Sequence, residues 1–281
     1  MSYSINKILV AIDLSETSLN ALNTAVVLAR THEAQLQLLN VAEQIDASGS
    51  AGKSYFSYQA NDDVLTALTI SLQRKHNIVP ELLSKTGNVT DNIITTAHAE
   101  HSDLIVMGTH GASGFREGFI GSNTYQVFKY AKCPVLAIPP VKEFTSFKNV
   151  LFPVRPVSGA LTRYDVACHY LAGNATLQVL GVSNNMLEKE TGVLDKVTEE
   201  IKEVLEANRV KVQTEWGRGT SIADDVLHFE QLNNPDLLVL TSNLDAIAKP
   251  YFIGPHMQKI INTSRIPLLS IKKTEVPLFS L

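Results

Sequence analysis

Glycines and one serine are concentrated between two apolar runs in the first half of the chain. Five glycines fall within fourteen residues, and Ser122 follows the last of them (Gly108, Gly111, Gly114, Gly118 and Gly121). Glycine has no side chain, so a ligand can approach the backbone of such a loop closely. A helix that begins after this loop presents free amides and the positive end of its dipole, which favour phosphate. Because a plain strand-to-helix connection spans about 2–6 residues, this longer loop predicts a phosphate site.

Two strands and one helix are predicted around the loop. Leu104–Met107 before it and Val135–Ile138 after it are continuous apolar runs, typical of parallel strands that are covered on both faces. The helix between them ends before Pro134, because proline disfavours helical geometry in the residue that precedes it. Ser122, at the start of that helix, can either cap it or offer its hydroxyl to a phosphate oxygen.

Strands and helices alternate through the rest of the first half. Short apolar segments predict three further strands, at residues 7–12, 36–41 and 78–84. Pro80 suits an edge strand. Residues 46–60 are rich in glycine and serine and predict a mobile connection, followed by a helix over 62–75. This alternation indicates β-α-β units and a parallel sheet, in which ligands bind at the carboxyl ends of the strands.

The loop has the spacing of a known nucleotide-binding pattern. Gly108-x2-Gly111-x9-Gly121-Ser122 resembles the ATP-binding motif of the universal stress protein family. The resemblance implies a doubly wound, Rossmann-like α/β fold with strand order 3-2-1-4-5, in which these four residues cradle the phosphates of ATP. It also implies a bound Mg²⁺, which would take most of its ligands from phosphate and water.

Two residues at strand ends are candidates for the nucleoside end of the ligand. Asp13 follows the first strand and Gly108 comes at the end of the fourth, so both face one crevice if those strands are neighbours. The resemblance implies that Asp13 lies beside the ribose and adenine, although an aspartate after a strand more commonly caps a helix. It also implies that the backbone of Val41, at the end of the second strand, meets the adenine edge.

The second half of the chain repeats the first. Asp236–Ser242 matches Asp103–Thr109, which lies 133 residues earlier. We therefore predict two tandem α/β domains of one fold, over residues 1–143 and 144–281. In the family, the last strand of each domain pairs domains across a two-fold axis. The resemblance therefore implies that the two halves form an internal pseudo-dimer, and it leaves a further homodimer open.

The second copy lacks most of the motif. At the same offset, three of the four motif positions hold other residues and one glycine is retained (Thr241, Leu244, Gly254 and Pro255). Leu244 adds a bulky side chain where the backbone should approach a ligand, and Pro255 removes a backbone donor and a hydroxyl. Arg155 stands where the first half has Asp13, which reverses the charge. We predict that the second domain does not bind ATP in the family manner.

Composition and motifs argue against several other classes of protein. The net charge of −4 gives no support for a nucleic acid or an anionic membrane as partner. No apolar run approaches the length that spans a bilayer and the N-terminus lacks a secretion pattern, so we expect a cytoplasmic protein. No catalytic residue is assigned, because no nucleophile elbow is present. No metal site is assigned either, since His98 and His101 lack further ligands at metal spacing.

The function implied by the resemblance is nucleotide-dependent regulation of a stress response. Family members respond to stresses such as starvation, and some hydrolyse ATP slowly, so at most slow hydrolysis is expected here. Two alternatives remain open. One is an ATP-hydrolysing or adenylyl-transfer enzyme of related fold, and the other is a scaffold module with no nucleotide requirement.

Overall fold

A computed structural model describes most of the chain. The described residues are 4–42, 51–110, 120–140, 147–155, 164–183, 210–217, 221–241, 244–245 and 253–271, with isolated positions between 192 and 206. The chain divides into two compact units, one over Ser4–Thr145 and one over Ser146–Leu281. In this described part, none of the helices is long and apolar enough to cross a membrane.

The first unit is a parallel sheet with helices between successive strands. Its elements are β1 (Lys7–Ala11), α1 (Glu16–His32), β2 (Gln35–Ala42), α2 (Ala51–His76), β3 (Glu81–Thr86), α3 (Val89–Ala99), β4 (Leu104–Gly108), α4 (Ser122–Tyr130) and β5 (Val135–Ile138). The strands lie in the order β3-β2-β1-β4-β5, and each neighbouring pair is parallel. This confirms the predicted order 3-2-1-4-5. The order reverses between β1 and β4, so the loops after these two strands open the crevice.

The two central strands form the core of the first unit. Ile8, Leu9 and Val10 in β1 are fully buried, and so are the residues of β4 from Leu104 to Val106. Helix α1 packs against β1, β4 and β5, which covers one face of these strands. Successive strand residues point to opposite faces, and all of these are buried, so both faces of each strand are covered and continuous apolar sequence is needed.

Two boundaries in the first unit differ from the sequence prediction. Helix α2 begins at Ala51, whereas residues 46–60 were predicted to form a mobile connection. Residues 53–60 contain neither glycine nor proline, so no helix breaker separates them from the predicted helix. Strand β3 begins at Glu81, so Pro80 precedes the strand instead of interrupting it. The edge position of β3 is confirmed.

The second unit has the same strand order. Its described elements are β6 (Phe147–Val154), α5 (Tyr164–Cys168), β7 (Leu171–Gly181), β8 (Lys211–Trp216), α6 (Ile222–Asn233), β9 (Leu237–Thr241), α7 (Pro255–Thr263) and β10 (Leu268–Ile271). The strands lie in the order β10-β9-β6-β7-β8 and are parallel. The amphipathic helix predicted over residues 193–205 falls mostly outside the described residues.

Each unit uses one aspartate to align its two central strands. The Asp103 carboxylate, just before β4, accepts a hydrogen bond from the Lys7 amide at 2.9 Å and another from the residue before it. The Asp236 carboxylate, just before β9, accepts in the same way from the Asn149 amide at 3.0 Å and from its predecessor. These paired contacts fix the start of the strand that leads to each crevice.

Candidate functional site

A cavity of about 260 Å³ opens at the carboxyl ends of β1 and β4 in the first unit. Five of the six predicted site residues line it (Asp13, Val41, Gly108, Gly121 and Ser122). The sixth, Gly111, lies outside the described residues. Leu39, Ile93 and Met107 supply apolar lining. The described lining therefore combines an apolar wall with one carboxylate and the N-terminus of α4.

Asp13 stands at the entrance to α1 without capping it. The cap is Ser15, whose side chain accepts a hydrogen bond from the Ser18 amide. The Asp13 carboxylate accepts instead from the amide of Ser15 at 3.0 Å and from its hydroxyl at 2.5 Å. Asp13 is exposed. Its side chain thus positions the cap residue and leaves a negative charge at the cavity.

Asn40 holds the ends of β1 and β2 together beneath Asp13. Its side-chain amide donates to the Ile12 carbonyl at 2.7 Å, and the residue is buried. The backbone of Ile12 also donates to the Leu39 carbonyl at 2.9 Å. These bonds bring Asp13, the next residue, to the same end of the sheet as Val41. Asn40 was not predicted from the sequence, because a polar residue in an apolar strand carries no signal of its partner.

Gly108 is required by the close approach of α1 to the end of β4. A Cβ at this position would lie 2.9 Å from the Thr17 Cβ, which is closer than Cβ atoms pack in proteins. The Thr17 hydroxyl donates to the His110 carbonyl. On the other side, the Thr124 hydroxyl donates to the Gly108 carbonyl at 2.9 Å. Helix α1, through Thr17, and helix α4, through Thr124, therefore both anchor the residues that follow β4.

The N-terminus of α4 faces the cavity without a side-chain cap. Gly121 is the cap residue, and its own amide donates to the Thr109 carbonyl at 2.8 Å. Ser122 is the first helical residue, so the interpretation that it caps the helix is wrong. Among the described residues, no side chain accepts from the amides of the first turn, which leaves donors for a ligand.

A polar contact joins α3 to α4 beside these amides. The Thr90 hydroxyl donates to the side-chain oxygen of Asn123 at 3.0 Å. Thr90 is only 9% exposed, and Asn123 lines the cavity. Sequence spacing could not reveal this pair, since the two residues are 33 positions apart and neither belongs to the motif.

The helix of the second unit that corresponds to α4 has its N-terminus occupied. The Asp245 carboxylate accepts hydrogen bonds from the amides of His256 at 3.1 Å and Met257 at 3.3 Å, near the start of α7. Asp245 is buried, with 6% of its surface exposed. Leu244 beside it is fully buried. The amides that could hold a phosphate in this unit are therefore already bound by a carboxylate of the same chain.

Four further residues of the second unit stand at positions that the sequence comparison singled out. Among the described residues, the buried Thr241 hydroxyl at the end of β9 and the buried Arg155 Nε have no hydrogen-bond partner. Pro255 is the first residue of α7, and Gly254 is its cap. Proline is accommodated here because the first helical residue needs no hydrogen-bonded amide.

Comparison with known proteins identifies the family. The family model described as the universal stress protein family matches residues 4–139. Universal stress protein YxiE of Bacillus subtilis is 30% identical over 145 residues, which cover 98% of that protein and 47% of this chain. The chain belongs to the universal stress protein family. A universal stress protein of Methanocaldococcus jannaschii is 27% identical over 144 residues, which cover 84% of it and 49% of this chain.

Solved structures resemble the chain over nearly its full length. A universal stress protein of Archaeoglobus fulgidus has a TM-score of 0.71 and 17% identity, covering 97% of this chain and 98% of its own. A protein of unknown function from Pseudomonas aeruginosa has a TM-score of 0.64 and 16% identity, covering 96% of this chain and 93% of its own. At these identities the likeness shows the fold. The universal stress protein fold thus extends over both units.

Proposed function

We propose that the first unit of this universal stress protein binds ATP and that the protein is a nucleotide-dependent regulator. The observation that carries the proposal is the open N-terminus of α4, which faces the same cavity as Asp13 and Val41. An uncapped helix N-terminus favours phosphate, and the Asp13 carboxylate can accept from ribose hydroxyls. Leu39 and Met107 offer apolar surface to the adenine.

The lining suits a metal carried by the nucleotide. Asp13 is the only acidic residue in the described lining of the cavity. No group of three or more metal-binding side chains is found among the residues that the structure describes. Mg²⁺ is usually bound through one or two carboxylates, phosphate oxygens and water. Mg²⁺ would thus enter with ATP, and the chain's own residues would bind and orient the phosphates.

The second unit supports one nucleotide site per chain. We interpret it as a degenerate repeat of the first, in which Asp245 binds the α7 amides that correspond to those of Asn123 and Thr124. The position that corresponds to Asp245 in the first half is Ala112, which has no carboxylate. The same helix N-terminus therefore attracts an anion in both units, supplied by the chain in one and by ATP in the other.

Regulation fits the described lining better than catalysis. Ser122 offers a hydroxyl near the proposed phosphates, and among the described residues no hydrogen bond joins this hydroxyl to a basic side chain. The His110 imidazole Nδ1 is 2.9 Å from the Thr109 hydroxyl, which orients the ring. Binding would satisfy the amides of α4 and change the surface at this end of the sheet, which a partner could recognise.

Hydrogen exchange measured with and without Mg²⁺-ATP tests this proposal. ATP should slow exchange of the backbone amides at residues 122–124, because phosphate oxygens would accept from them. Exchange at His256 and Met257 should stay slow and unchanged, since Asp245 binds these amides already. The same sample assayed for phosphate release tests the enzyme alternative. Protection confined to the second unit, or none at all, would contradict the proposal.

A further inference from the structure

Asn123 is a polar side chain in the cavity that the glycine pattern does not include. It is the second residue of α4, is exposed and lines the cavity together with Asp13 and Ser122. Its backbone amide belongs to the uncapped first turn. The side chain thus lies at the part of the cavity where the phosphates of a nucleotide would be placed.

The Thr90 contact determines which end of the Asn123 side chain is available. Thr90 donates its hydroxyl proton to Asn123 Oδ1 at 3.0 Å. Thr90 is nine-tenths buried in the first turn of α3, so this hydroxyl has a fixed position. With Oδ1 held by Thr90, the Nδ2 group is the remaining polar end of Asn123. It donates to no residue in the described part of the chain.

Two neighbouring threonine hydroxyls differ from Asn123 in this respect. The Thr124 hydroxyl donates to the Gly108 carbonyl at 2.9 Å and is buried. Thr17 donates to the His110 carbonyl. Both of these donors are occupied by the backbone of the loop. Asn123 Nδ2 is therefore a side-chain donor with two N–H groups that remain available beside the α4 amides.

We infer that Asn123 is a specificity-determining residue for the phosphate chain of the ligand, positioned by Thr90. This inference rests on the proposed function and adds the group that distinguishes a nucleotide from its nucleoside. The Nδ2 group donates to a phosphate oxygen next to the backbone amides of α4. Because the amide is neutral at every accessible pH, its contribution does not titrate. The ligand class is an adenosine polyphosphate, recognised at its phosphate end by backbone and amide N–H groups.

Three substitutions distinguish the loss of the Asn123 donor from the loss of the Thr90 hydroxyl that orients it. Asn123→Ala removes the donor. Asn123→Asp keeps an oxygen for Thr90 and replaces the donor with a carboxylate, which repels phosphate and satisfies the helix N-terminus itself. Thr90→Val keeps the size of the side chain at position 90 and removes only the hydroxyl that orients Asn123. Asn233→Ala is the matched control, because Asn233 is an exposed residue of α6 whose side chain donates to its own helix.

Titration calorimetry of each protein with ATP, adenosine and inorganic tripolyphosphate tests the inference. Asn123→Ala should weaken ATP and tripolyphosphate about tenfold, as expected for one lost hydrogen bond to a charged group. Asn123→Asp should weaken both ligands further, and Thr90→Val should weaken them about threefold. Adenosine should bind equally to all four variants and to the wild-type protein.

The outcomes separate this inference from the proposed function. If ATP binds wild-type protein and both Asn123 variants alike, the role of Asn123 is overturned and ATP binding stands. If the Asn123 variants lost affinity for ATP and adenosine equally, the role of Asn123 would also be overturned, since the side chain would then act on the cavity as a whole. Suppose instead that Asn123→Ala weakens tripolyphosphate binding, that ATP binds wild-type protein no more tightly than tripolyphosphate, and that adenosine does not bind. The proposed nucleotide function then fails and the phosphate role of Asn123 stands. Absence of binding by all three ligands to the wild-type protein overturns both.

Discussion

Asp245 and Gly254 lie so close together that a Cβ on Gly254 would collide with the Asp245 carboxyl group. Gly254 has a φ of −76°, which any residue can adopt. Close packing, and not backbone conformation, therefore requires glycine here. In the first unit, a Cβ on Gly121 would instead meet the Thr109 carbonyl at 3.0 Å. The two units thus retain the same glycine for different neighbours. Among the described residues, only the second unit places a carboxylate at the N-terminus of this helix.

Asp245→Ala should destabilise the second unit and uncover an anion site. The variant loses two hydrogen bonds to a buried carboxylate and the charge that caps α7. We expect the free energy of unfolding to fall by about 2 kcal/mol. Phosphate should then raise the thermal midpoint of Asp245→Ala more than that of wild-type protein, because it can bind the freed amides. Denaturant titration and thermal scans with increasing phosphate measure both effects.

Two further variants control this experiment. Asp245→Asn keeps an acceptor for one amide and should lose about half as much free energy of unfolding. Asp63→Ala removes an exposed carboxylate from α2 and should change stability by no more than about 0.5 kcal/mol. If phosphate stabilised all four proteins equally, the effect would be a general salt effect and Asp245 would not occupy an anion site.

Gly108→Ala should weaken ATP binding because it displaces the loop that follows β4. The added Cβ would force Thr17 to move, and with it the hydrogen bond from Thr17 to His110. Such overpacking typically costs about 1–3 kcal/mol in stability, and we expect about a tenfold loss of ATP affinity. Gly192→Ala is the control, because a Cβ there meets nothing within 4 Å. Equal affinities for the two variants would show that the Gly108 contact does not support the site.

Asp13→Ala should weaken ATP and adenosine alike. A carboxylate that accepts from a ribose hydroxyl contributes to both ligands, and its loss should cost about tenfold in each dissociation constant. Ser15→Ala is the control, since it removes the α1 cap and the partner of Asp13 but retains the carboxylate. It should lower stability by about 1 kcal/mol and leave both affinities within about threefold. If Asp13 served only to hold Ser15, parallel calorimetric titrations would show that Ser15→Ala weakens both ligands as much as Asp13→Ala does.

Glu230 gives the second unit a distinctive response to pH. The residue is buried in α6, and one of its carboxyl oxygens, Oε1, accepts from the Arg265 amide at 3.0 Å. Burial raises the pKa of Glu230 above its ordinary value of 4.5, and the hydrogen bonds with the Arg265 amide and the Ser264 side chain only partly offset this. The folded protein therefore holds the proton at a pH where the unfolded chain has lost it.

Glu230→Gln should stabilise the protein at neutral pH. The ionised carboxylate is unfavourable there because it is desolvated, and glutamine keeps an oxygen for the Arg265 amide. As the pH falls through the raised pKa, wild-type Glu230 takes up its proton, so the advantage of the variant should shrink. Denaturant unfolding at pH 7, 6 and 5 measures this, with the exposed Glu206→Gln as control. An advantage that does not change with pH would exclude titration of Glu230 as its cause.

Much of the fold was predictable because its strands are buried on both faces. Leu104–Met107 could be assigned from a continuous apolar run, and the strand order of the first unit followed from the family resemblance. The start of α2 was not predictable, since glycine and serine near residue 50 obscured a helix that begins at Ala51. The predicted tandem domains, their pairing and any homodimer stay predictions.

The candidate site was predictable only where the motif specifies it. The structure brings Asp13, Val41, Gly108, Gly121 and Ser122 to one cavity, and ATP binding there remains a proposal. Asp245 was missed because it aligns with Ala112, a position where the glycine pattern specifies no residue. The contact between Thr90 and Asn123 was not predicted because it joins two helices that are distant in sequence. Such tertiary contacts have no periodic signal in one sequence.

Calorimetric titration of nucleotide-free wild-type protein with Mg²⁺-ATP measures how many nucleotide sites each chain has, with GTP and AMP as comparisons. The proposed site in the first unit, with Asp245 closing the corresponding helix in the second, predicts one ATP per chain. It also predicts tighter binding of ATP than of AMP, since only ATP extends a polyphosphate to the α4 amides and Asn123. Two ATP molecules per chain would contradict the closure by Asp245, and no binding would contradict the nucleotide site itself.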